Sequence, residues 1–189
     1  MTRSNRSFAR TFAVARRLML CVALLLAVLG FVREAEAQTI QVNFQPKGVA
    51  VPSGYLRDSG DVYGNRGNGN SYGWSSSHTS RTYYYEPFAW TPNPYWSNIF
   101  MLAGAGTSWE IAVPNANYEV HIAAGGWQSA NVRQKITAEG VLIVDAVGTD
   151  YGPWVGGTNT VTVSDGKLTV NNGAGAANNS ICLIRITRL

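Results

Sequence analysis

Between positions 72 and 96 the chain carries nine aromatic residues: Tyr72, Trp74, Tyr83, Tyr84, Tyr85, Phe88, Trp90, Tyr95 and Trp96. They are half of all the aromatics beyond the first 37 positions. Their neighbours are Asn, Ser, Thr, Gly and Pro rather than Val, Ile and Leu. Rings among short polar side chains suit a ligand with one apolar face and many hydroxyls. A pyranose stacks its C–H face on a ring, and amides and hydroxyls hold its rim. The consecutive tyrosines 83 to 85 cannot all point inward from an extended backbone, so at least one faces solvent. Asn93-Pro-Tyr-Trp96 reads as a turn presenting two rings. Tyr63, Tyr72, Trp74, Tyr84, Trp90, Trp96, Trp127 and Trp154 are the rings expected to line a shallow groove. Asn65, Asn70, Arg81 and Asp150 are the polar groups expected beside them.

Catalytic patterns are weak by comparison. Gly69-Asn-Ser-Tyr-Gly73 matches the G-x-S-x-G elbow, but that motif needs a strand before it and a helix after it. Here Gly-Asn-Arg-Gly-Asn precedes and a serine-rich loop follows. The two histidines, His78 and His121, form no H-x-x-H pattern, so a zinc site has little support. His78 sits in Ser-Ser-Ser-His-Thr-Ser and reads as a solvated side chain. The acids beyond residue 37 are scattered singly, whereas glycosidic cleavage needs two carboxyls held together. Asp58 and Asp61 share a loop and suit a Ca²⁺ ligand or a surface role. The expectation is no catalytic residue, no certain cofactor and a possible structural calcium.

The elements that must position these rings are strands. Thr39 to Phe44 alternates. Trp109-Glu-Ile-Ala-Val is followed by a Pro114-to-Asn117 turn and Tyr-Glu-Val-His-Ile. Ile136 to Asp145 turns at Glu139-Gly140, and Val161 to Val170 at Asp165-Gly166. Ile181 to Ile186 closes the run. Alternating segments around Glu-Gly and Asp-Gly turns predict antiparallel hairpins, one of them over 161–170. No stretch shows helical periodicity over 11 residues. Many short strands with Gly and Pro turns predict an all-β domain, a sandwich or barrel, whose loops carry function.

The first 37 residues read separately. Five arginines up to Arg17 precede an apolar run, Leu18 to Phe31, too short to span a bilayer comfortably. Ala35-Glu-Ala37 then resembles a cleavage site. The expected organisation is a signal segment over 1–37, helical if structured, and one domain over 38–189, secreted to the extracellular space or the periplasm. The chain has 15 basic and 11 acidic residues and a formal charge of +4. Six of the basic and two of the acidic ones lie in the signal segment, so the domain itself is neutral. That excludes a basic stripe for nucleic acid, and no membrane contact is expected after cleavage. Cys182 is the domain's lone cysteine and reads as a small buried hydrophobe.

The segments from Trp109 to Ile186, with Val42-Asn-Phe44, Gly54-Tyr-Leu-Arg-Asp58 and Tyr72-Gly-Trp74, resemble the malectin-like carbohydrate-binding domains of the galactose-binding-like group. The resemblance covers most of residues 39–188. It implies a jelly-roll β-sandwich of two antiparallel sheets whose end loops hold a glycan. By motif position it implies Tyr72 as a sugar-facing ring and Tyr63 as its companion. Relatives often carry an acid where this chain has Gly125-Gly-Trp127, which makes Trp127 a stacking platform instead. The expected function is a secreted, lectin-like, non-catalytic module for a polysaccharide or other glycan. The alternative is a cell-surface structural or adhesive protein binding another protein through the same loops, and an enzyme is a third reading.

Overall fold

The computed structural model describes residues 38–85, 93–101, 107–176 and 178–189. The expected signal helix and Trp90 lie outside these residues. The regular structure described is strand, apart from two short 3₁₀ turns, Thr79–Arg81 and Trp127–Ser129. Two sheets pack face to face.

The first sheet is centred on the closing segment, now β13 (Asn179–Arg188). On one side it pairs antiparallel with β8 (Ala116–Gly125), and β8 with β11 (Trp154–Val163). On its other side β13 pairs with β1 (Thr39–Phe44), and β1 runs parallel to β2 (Leu56–Asp58). Past the end of β1, β13 pairs with β6 (Ser97–Met101), which holds β5 (Thr82–Tyr84). The second sheet runs in the order β10 (Val141–Val147), β9 (Arg133–Ala138), β12 (Lys167–Asn172), β7 (Ser108–Ala112), β4 (Ser71–Trp74), β3 (Gly64–Asn65). This is the all-β sandwich that the strand pattern predicts.

Alternation builds the core. On β8, Tyr118, Val120, Ile122 and Ala124 point inward, two residues apart. They meet Ile111 of β7, Leu168 and Val170 of β12, and Ile136 of β9 in one buried cluster. Most of β13 is buried without alternation, as expected of a central strand covered on both faces. Cys182 is wholly buried, and its thiol donates to the Gly125 carbonyl at 3.4 Å. Burial pushes that thiol's pKa far above its ordinary value.

The turns behave in two ways. Glu139-Gly140 joins β9 and β10 as a true hairpin, with both residues at positive φ, 50° and 74°. The hairpin expected at Asp165-Gly166 is not one, and neither is the Pro114-to-Asn117 turn. Asp165-Gly166 links β11 in the first sheet to β12 in the second, and Pro114-Asn115 links β7 to β8 across the same gap. The two crossings hold each other. Asn115 Nδ2 donates to the Ser164 carbonyl at 2.9 Å, and the Gly166 amide donates to Asn115 Oδ1 at 2.8 Å. A turn dipeptide reverses the chain but does not choose its partner strand.

Candidate functional site

Position along the strands decides which candidate residues can meet. Lys167 begins β12, and its ammonium lies 5.0 Å from the Tyr63 ring centre. Asn172 ends β12 and bonds Asn179, the first residue of β13, at 2.6 Å. Close by, β13 pairs with Ala124, next to the Gly125–Trp154 pair. Five residues of strand separate these ends, about 17 Å. Tyr63, Asn65 and Asn70, on the β3–β4 hairpin, are therefore at the opposite end from Trp127, Trp154 and Asp150. Asn65 Oδ1 accepts from the Gly67 amide at 2.7 Å, and Asn68 Oδ1 from the Asn70 amide at 3.1 Å. These are turn-forming roles.

Tyr72 and Trp74 correct the expected groove more sharply. Their exposures are 2% and 0%, so neither offers a ring face to a ligand. Being two apart on β4, they share the inner face, and β7 beside them brings Trp109. Gly73, between them, faces the other way, where a Cβ would collide with the Arg66 guanidinium. Tyr72 Oη donates to the Arg57 carbonyl at 2.7 Å.

Below these rings lies a buried carboxylate. Asp58 Oδ1 accepts from Trp74 Nε1–H at 2.9 Å and the Gly60 amide at 2.8 Å, and Oδ2 accepts from Trp109 Nε1–H at 2.9 Å. Burial pushes its pKa up, while the three N–H donors pull it down. Its oxygens face donors, and Asp61 pairs with Lys47 at 2.8 Å. The Asp58–Asp61 loop therefore does not fit a calcium site. No cluster of three metal-ligating side chains occurs among the described residues.

His78 is buried rather than solvated. Its ring stacks on Trp74 with centres 4.3 Å apart, and Nδ1 lies 2.7 Å from the Ser76 carbonyl. Its amide donates to the Gly60 carbonyl at 2.7 Å. Burial holds its pKa below the ordinary histidine value. His121 is separate, with Nδ1 at 2.9 Å from Thr158 Oγ1.

The rings with free faces gather at the other end. Trp127 is 49% exposed and meets Trp154 edge-on, centres 5.4 Å apart. Two backbone bonds tie their loops together, Gly126 N–H to the Pro153 carbonyl and Asn131 N–H to the Gly148 carbonyl, both 3.1 Å. Asn131 Nδ2 donates to Asp150 Oδ1 at 2.6 Å. Tyr151, the residue after Asp150, is 98% exposed. Gly126, at φ 136°, has no room for a Cβ because Tyr85 and Asn98 lie against it.

The 3₁₀ turn of Trp127 also borders a cleft of about 530 Å³. Arg81, Tyr83, Phe100 and Asn178 line it, with Ser129 from that turn. Tyr83 packs edge-on against Phe100 at 5.1 Å and keeps 38% exposure. Tyr84 and Trp96 are half-buried. The structure thus brings together Trp127, Trp154 and Asp150, and places Arg81 in the adjoining cleft. Tyr151 and Asn131 also lie at this end, and residue type and spacing do not single them out. Tyr151 stood in an Asp-Tyr-Gly-Pro turn, and the tyrosine triplet did require one outward ring without saying which.

No family model and no curated protein matches the chain. Among solved structures it resembles the Bacillus subtilis protein YxiM, with TM-score 0.56 and 21% identity over 80% of this chain and 40% of that one. It also resembles a calcium-binding mutant of Bacteroides uniformis β-glucuronidase 2, with TM-score 0.56 and 9% identity over 84% of this chain and 19% of that one. The chain spans well under half of either. At these identities the likeness is one of fold.

Proposed function

We propose that this chain is a secreted, non-catalytic carbohydrate-binding protein that stacks a glycan against Trp127 and its neighbours. The observation that carries the reading is the Trp127–Trp154 pair. One indole is braced edge-on by the other, half of its surface faces solvent, and exposed Tyr151 stands in the adjoining loop. An exposed ring held rigid by another ring costs little entropy when a ligand arrives. The Asn131–Asp150 pair supplies amide and carboxylate edges for hydroxyls. The only buried carboxylate among the described residues, Asp58, is occupied by indole donors, which favours binding over hydrolysis. Export with cleavage after Ala37 completes the reading, and Gln38 is then the first residue of the working protein.

A glycan array with protein recovered from the culture fluid or periplasm tests it. Binding that Trp127→Ala weakens by about 1–3 kcal/mol without lowering the melting temperature supports the reading. Absence of binding across the array, with capture of a surface protein instead, replaces it by the adhesive reading.

A further inference from the structure

We propose that the cleft beside Trp127 is a subsite for an acidic sugar unit, with Arg81 as its anion-binding residue. The inference rests on the glycan-binding reading and names the ligand class.

Three described cations, Arg81, Lys135 and Arg188, have no side-chain hydrogen-bond acceptor or ion-pair partner among the described residues, and of these only Arg81 lines the cleft. Lys47 is paired with Asp61, Arg133 with Asp145 and Lys167 with Glu110. Arg57 and Arg66 donate to backbone carbonyls, and Arg185 to Tyr55 Oη. The Arg81 guanidinium has no hydrogen-bond acceptor and no ion-pair partner among the described residues, and it stands at the wall of a cleft. No carboxylate is among that cleft's described lining residues. An anion entering it meets an unopposed fork of N–H donors whose plane matches a carboxylate.

The backbone under Arg81 is anchored. Its amide donates to the His78 carbonyl at 2.9 Å, and His78 is pinned by Gly60 and stacked on Trp74. Gly60, at φ 82°, allows this approach, since a Cβ there would overlap the His78 backbone. A buried stack thus fixes where an exposed guanidinium begins. In the same cleft, the exposed ring of Tyr83, braced by Phe100, offers a face for sugar C–H groups. The Asn178 carboxamide offers a donor and an acceptor for hydroxyls. Charge, stacking face and hydroxyl partners are the three contacts that a uronate or a sulfated sugar needs.

The test is calorimetric titration of the exported protein with an oligogalacturonide, its methyl ester and a sulfated galactan fragment, beside a panel of neutral oligosaccharides. The acid should bind about tenfold more tightly than its uncharged ester at low salt, a difference that fades as salt rises. Arg81→Gln should erase the difference and leave the melting temperature intact, and Arg81→Lys should restore part of it. Preference for the sulfated fragment over the uronate identifies the anion as sulfate and supports the same site. Equal affinity for acid and ester, or an acid preference that survives Arg81→Gln, overturns the subsite and leaves the glycan-binding reading standing. No binding of any saccharide overturns both.

Discussion

The imidazole of His78 lies nearly flat on the indole of Trp74, with ring centres 4.3 Å apart and planes 20° from parallel. Trp74 in turn donates to the buried carboxylate of Asp58. One stack therefore links the exposed 3₁₀ turn of Arg81 to the interior of the sandwich.

That link makes stability depend on pH. His78 has a depressed pKa in the fold, so below about pH 6.5 the unfolded chain binds a proton that the native state refuses. Stability should fall as pH drops from the unfolded value toward the folded one, at up to about 1.4 kcal/mol per pH unit for a single proton. His121 shifts the same way. Asp58 has the opposite sign: its raised pKa means that its contribution improves as pH falls through its folded value toward 3.8. Urea unfolding at a series of pH values should show a shallower fall below about pH 6.5 for His78→Gln than for the parent protein. Superimposable profiles would refute the assignment.

Asp58→Asn should be costly although it is nearly isosteric. An amide has one acceptor oxygen, whereas both carboxylate oxygens now accept from an indole. One indole N–H would face an NH₂ group inside the core, for a loss of roughly 3 kcal/mol. Equilibrium denaturation measures it, and a variant as stable as the parent would show that the carboxylate is not what satisfies Trp74 and Trp109.

Trp74 and Trp127 should give opposite phenotypes on alanine substitution. Trp74 is fully buried, so its removal should cost about 3–5 kcal/mol of stability. Trp127 is half exposed, so its loss should leave the melting temperature nearly unchanged and weaken glycan binding by about 1–3 kcal/mol. Melting and titration run side by side on both variants decide the matter. A large stability loss for Trp127→Ala would mean that it braces the end loops rather than a ligand.

Gly157→Ala tests how the sandwich closes along one edge. Its backbone is not in the left-handed region, so conformational freedom is not the issue. A Cβ at this position on β11 would run into the Ile143 carbonyl on β10, and Asn159 Nδ2 reaches the Leu142 carbonyl at 3.3 Å beside it. Forcing the two edge strands apart should cost about 1–3 kcal/mol. A neutral effect on thermal melting would show that this edge is loosely packed.

The strands themselves were legible in the sequence. Thr39 to Phe44, the Trp109 segment, the Glu139-Gly140 hairpin and the closing Ile181 strand all announce themselves through period-two alternation and turn chemistry, which act within a few residues. Which strands pair was not legible. The Asp165-Gly166 and Pro114-Asn115 turns look like hairpins locally, yet each carries the chain from one sheet to the other, because each flanking strand pairs with strands of its own sheet that are distant in the chain. The same distinction governs the site. An aromatic-rich stretch signalled rings that matter, but Tyr72 and Trp74 went inward because β4 lies beside β7 and meets Trp109, while Trp127 and Tyr151 stayed outside on end loops. His78 looked solvated among serines and is buried because Gly60 lets its backbone approach. Residue types and local spacing determine strands and turns. Burial and assembly at a surface depend on contacts between segments far apart in the chain, and only the folded arrangement decides them.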